Sequence, residues 1–140
     1  MLDSRPIAEL VPMIEAVIAS GGCFRLWPRG RSMLPLLREG QDSVLLSSPT
    51  ALRRGDILLV RDGDRFVLHR AIRADGNTVT LCGDALTETE GPFPHDAVIA
   101  KVIAVYRGER KLRPSLIVRW LYLRRIGLCR LLRRLWHKIT

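Results

Sequence analysis

The chain has 140 residues, 47% of them hydrophobic, and a net charge of +9. That length allows about one domain, and the apolar fraction can fill one buried core, which excludes a wholly disordered chain. The charge is uneven: residues 113–140 hold eight basic residues and no acid, leaving 15 basic against 14 acidic groups in the first 112. The body is nearly neutral and the tail is a cation suited to anionic lipid, nucleic acid or an acidic partner.

In residues 5–19 the apolar positions Ile7, Leu10, Val11, Ile14, Val17 and Ile18 recur at helical spacing. Ser4 and Pro6 suit the start of such a helix, Gly21-Gly22 its end, and Pro12 lies inside it. Six segments then predict strands: 23–28, 43–46, 57–60, 66–72, 78–82 and 98–106. Between them stand turn signals such as Arg54-Gly-Asp56, Asp62-Gly-Asp64 and Asp75-Gly-Asn77. Short strands without βαβ alternation predict a mainly β, antiparallel, barrel-like or sandwich fold. In residues 115–136, Ile117, Leu121, Leu128, Leu132 and Leu135 share one helical face, with Arg119, Arg130, Arg133 and Arg134 opposite. The expected organisation is an N-terminal helix (1–22), a β domain (23–112) and a basic amphipathic helical tail (113–140).

Cys23, Cys82 and Cys129 are odd in number and widely spaced, so a reducing compartment is expected. Asp3, Glu9, Pro12 and Glu15 interrupt any secretory-signal pattern, and no long apolar run predicts a spanning helix. The expected location is the cytoplasm, peripheral on the membrane face if the tail lies on lipid. The tail reads equally as a helix docked on the body or as a monotopic helix on an anionic surface. No motif predicts specific nucleic-acid binding.

Three islands carry residues able to do chemistry: Gly30-Arg-Ser-Met-Leu-Pro35, Leu68-His-Arg70 and Leu81-Cys-Gly-Asp84. A serine hydroxyl needs a base to become a nucleophile, an imidazole can take its proton, and a carboxylate can orient the imidazole. Of the three histidines, His69 has the strand setting; His95 lies in a Gly-Pro-Phe-Pro stretch and His137 in the tail.

The run Gly30-x-Ser32-Met33-x-Pro35, with Gly40 beyond it, resembles the nucleophile motif of the signal peptidase I family. Gly55-Asp56-Ile57 with Val67-Leu-His69-Arg70 resembles its second block, Gly83-Asp84 its third, and Ala100-Lys-Val102 its closing strand. His69 is similar to the microsomal and sporulation-type branch, which has histidine where other members have lysine. The resemblance implies Ser32 as nucleophile, His69 as general base and Asp84 as supporting acid, without metal or cofactor. It implies an oxyanion hole of backbone N–H groups around Gly30, Ser32 and Met33. The third block continues Ala85-Leu86, without the family's asparagine and downstream acid. The expected function is serine endopeptidase action on a peptide or protein leader. The alternative is a non-catalytic peptide-binding or membrane-associated module on the same fold.

Overall fold

The computed structural model describes residues 6–34 and 37–112. The expected N-cap Ser4 and the entire tail, residues 113–140, lie outside the described residues. Within them stand one α-helix, α1 (Ile7–Ala19), one 3-10 turn (His95–Ala97) and eight strands: β1 (Phe24–Leu26), β2 (Asp42–Ser47), β3 (Ile57–Asp62), β4 (Arg65–Ala74), β5 (Thr78–Cys82), β6 (Thr89–Pro94), β7 (Val98–Arg107) and β8 (Arg110–Leu112). No described helix is long and apolar enough to cross a membrane.

The strands form one open antiparallel sheet in the order β1-β2-β7-β3-β4-β5-β6, with β8 also paired to β7. A mainly β, antiparallel architecture matches the expectation; the open sheet replaces the expected barrel or sandwich. Register shifts at Leu45/Leu46, Leu59/Val60, Ala71/Arg73 and Val79/Leu81 interrupt the ladder. Such bulges bend a strand and increase its twist.

Both sheet faces are apolar because β3 and β4 send alternate side chains to opposite sides. Leu59 and Leu68 join Leu10 and Ile14 of α1, with Leu26, Val44 and Met33, in one buried cluster. Leu58, Val60, Val67, Ala71, Val79 and Leu81 form the other. The helix thus shares its core with the sheet, through the buried positions Leu10, Val11 and Ile14. Met33 ties the segment carrying Ser32 into that core.

Two strands escape the sequence pattern. β6 contains Gly91, Pro92 and Pro94 and reads as a loop, but it is an edge strand, paired only with β5. Proline is tolerated there because one side of the strand needs no ladder donor. β8 is three residues, Arg110-Lys-Leu112, with no β-branched or aromatic residue.

Candidate active site

Ser32 and His69 line one cavity of about 180 Å³, between the loop after β1 and strand β4. Its other walls include Ile7 of α1, Pro28, Arg29, Phe66 and Glu90. Two of the three islands therefore meet, although they are 37 positions apart.

The loop bearing Ser32 is shaped by its backbone. Gly30 has φ +89°, a conformation that side chains with a Cβ rarely adopt. Leu34 N–H donates to Arg31 C=O at 3.2 Å, and Leu37 N–H to Met33 C=O at 2.9 Å. Among the described residues, the Ser32 and Met33 N–H groups donate to no acceptor. Two neighbouring N–H groups without an internal partner can serve a developing oxyanion.

His69 is in the middle of β4, and its side chain is 12% exposed. Its Nδ1 is hydrogen-bonded to Glu90 Oε1, a residue 21 positions on. A carboxylate on Nδ1 fixes the ring, makes Nδ1 the protonated nitrogen and leaves Nε2 as the base. Among the hydrogen bonds of the described residues there is none between Ser32 Oγ and His69; the two share the cavity.

Glu90 reaches the histidine through a register shift. β5 and β6 pair Val79 with Phe93, but Leu81 with Glu90, so β6 has one extra residue at Gly91-Pro92. Unshifted pairing would place Gly91 opposite Leu81 and send Glu90 to the other face. The bulge instead aligns Ala71, Leu81 and Glu90 across three strands, on the face that His69 shares with Ala71. Gly91 takes φ +106°, and a Cβ there would lie 2.9 Å from Phe93 N. No sequence signal separated Glu90 from Glu88, because the bulge lay inside a stretch that reads as a loop.

Asp84 is placed differently from its expected role. Arg70, next to His69 but on the opposite face of β4, grips it with two hydrogen bonds, Nε to Oδ1 at 2.7 Å and Nη2 to Oδ2 at 2.8 Å. Arg70 is 4% exposed and also donates from Nη1 to Gly55 C=O at 2.7 Å. The acid bonded to His69 is Glu90, while Asp84 binds the arginine beside it.

The third island braces the first. Ala85 N–H donates to Ser32 C=O at 2.9 Å, and Asp84 N–H contacts Met33 Sδ at 3.5 Å. A Cβ on Gly83 would lie 2.7 Å from Ser32 O, so only glycine allows this approach. Arg70 thus links the Gly55 turn, the His69 strand and the segment that supports the Ser32 backbone.

No protein-family model matches the chain, and a search of the curated proteins finds no matching relative.

Proposed function

We propose that the protein is a serine endopeptidase of the kind its motifs resemble, signal peptidase I, with Ser32 as nucleophile, His69 as general base and Glu90 as the acid that orients it. The observation that carries this reading is the cavity shared by Ser32 and His69, with Glu90 bonded to His69 Nδ1. Asp84 is a positioning residue, acting through Arg70 and the backbone around Ser32.

In this mechanism Ser32 Oγ attacks the scissile carbonyl carbon while its proton passes to His69 Nε2. The carbonyl oxygen becomes an oxyanion facing the Ser32 and Met33 N–H groups. His69 then protonates the leaving amine, the C–N bond breaks, and an ester to Ser32 remains. Water attacks the ester, gives its proton to His69, and releases the acid as Ser32 regains its hydrogen. The Glu90 carboxylate, bonded to Nδ1, stabilises the imidazolium formed in both halves.

A non-catalytic peptide-binding module is the second reading, favoured by the missing Ser32–His69 hydrogen bond. Against it, such bonds tighten when substrate is bound. The test is cleavage of a peptide library, read by mass spectrometry, with the wild-type protein and with Ser32→Ala and His69→Ala. Cleavage lost in both variants, at unchanged melting temperature, supports the peptidase; products formed equally by all three overturn it.

A further inference from the structure

A second cavity, of about 340 Å³, adjoins the first and shares Ile7, Arg29, Arg65 and Phe66 with it. Trp27, Ala8 and Asp64 complete its wall. Arg29 and Arg65 line both cavities, with the carboxylate of Asp64 in the second and that of Glu90 in the first. Arg29 forms no ion pair among the described residues. Arg65 is 71% exposed, and its one carboxylate contact among the described residues is Glu90 Oε2, at 3.9 Å.

The aromatic walls are backed from elsewhere in the fold. Arg25 lies 5.0 Å from the Trp27 ring centroid and is itself held by Ser43 Oγ at 2.8 Å and Gly108 C=O at 2.9 Å. Arg61 lies 5.6 Å from the Phe66 ring centroid and is paired with Glu15 of α1. Cations stacked on ring faces hold the rings in place. The result is an open slot walled by Ile7, Trp27 and Phe66, which shares Arg29 and Arg65 with the cavity of Ser32 and His69.

We propose that this slot selects a substrate peptide with an acidic side chain, Asp or Glu, within a few residues of the scissile bond. The stem of that side chain lies between Phe66 and Trp27, and its carboxylate takes charge-assisted hydrogen bonds from Arg29 and Arg65. The proposal rests on the peptidase reading for its substrate, and its test separates the two.

The probes are fluorescein-labelled decapeptides with alanine-rich centres, each with Glu at one position and a twin with Gln there. Binding is measured by anisotropy to the Ser32→Ala protein, and cleavage with the wild-type protein. The expected result is one or two positions where Glu binds about tenfold more tightly than Gln, the scale of a hydrogen bond to a charged group. That preference shrinks with added salt and disappears in Arg29→Gln/Arg65→Gln. Glu-dependent binding without any cleavage keeps the slot and removes the peptidase reading. Cleavage with equal binding and equal rates for Glu and Gln at every position overturns the slot and keeps the peptidase. Absence of any Glu-dependent binding or cleavage also overturns the slot.

Discussion

Glu90 is hydrogen-bonded to His69 Nδ1 across the intervening strand β5, because a one-residue bulge in β6 turns it to the histidine's face. The same strand, β4, presents Arg70 to Asp84 on its other face. Two acids near one His-Arg pair thus have separate partners, Glu90 the imidazole and Asp84 the guanidinium.

Glu90→Gln is expected to keep the fold and lower kcat by about 10²- to 10⁴-fold, since it leaves the imidazole without its orienting charge. Gly91→Ala should lower kcat in the same direction, because φ +106° and the 2.9 Å approach to Phe93 N oppose any Cβ. Steady-state kinetics beside circular dichroism check both. Full activity in Glu90→Gln would remove Glu90 from the site.

Asp84→Ala should act mainly on stability, because it strands the buried Arg70 guanidinium. Breaking such a pair costs about 3–5 kcal/mol, with the lower end expected since the Asp84 side chain is 16% exposed. Replacing both partners, Arg70→Leu with Asp84→Leu, should recover part of that loss. Urea unfolding of the single and double variants measures the coupling.

Gly83→Ala should displace the Ser32 backbone, since its Cβ would lie 2.7 Å from Ser32 O. Overpacking of this kind costs about 1–3 kcal/mol, and here it acts on the proposed nucleophile's own carbonyl. The expected result is a fall in kcat larger than the stability change explains. Equal kcat at a lowered melting temperature would show that the Gly83 contact supports the fold alone.

Asp75 closes the β4–β5 turn. Hydrogen bonds from the backbone N–H groups of Thr78 and Asn77 hold its carboxyl below the ordinary value of 3.8. A lowered folded value means that its contribution is present above the unfolded value and is lost as pH falls through the folded one. The Asn77 and Thr78 amide signals should therefore titrate with a midpoint below pH 3.8, and Asp75→Asn should remove that transition. NMR titration reads it directly.

The sequence pattern located β3, β4, β5 and β7 because each is rich in β-branched and apolar residues. It missed β6 because Gly91, Pro92 and Pro94 look like a loop, and only an edge position makes them compatible with a strand. Ser32 and His69 were legible as chemically matched residues; their common cavity depends on how the loop after β1 packs on β4. Glu90 was hidden because Glu88 and Glu90 are equivalent in sequence, and strand alternation with a bulge decides which one reaches the ring. Asp84 stands in the third island, but strand alternation turns Arg70, its partner, away from the His69 face.

The most direct test of the central claim is acid quenching of the wild-type protein during turnover of a cleaved peptide, followed by intact-mass and peptide-map analysis. An adduct with the mass of the substrate's acyl half, on the fragment containing Ser32 and absent in Ser32→Ala, is the predicted result. Turnover that persists in Ser32→Ala, or an adduct on another residue, would contradict it.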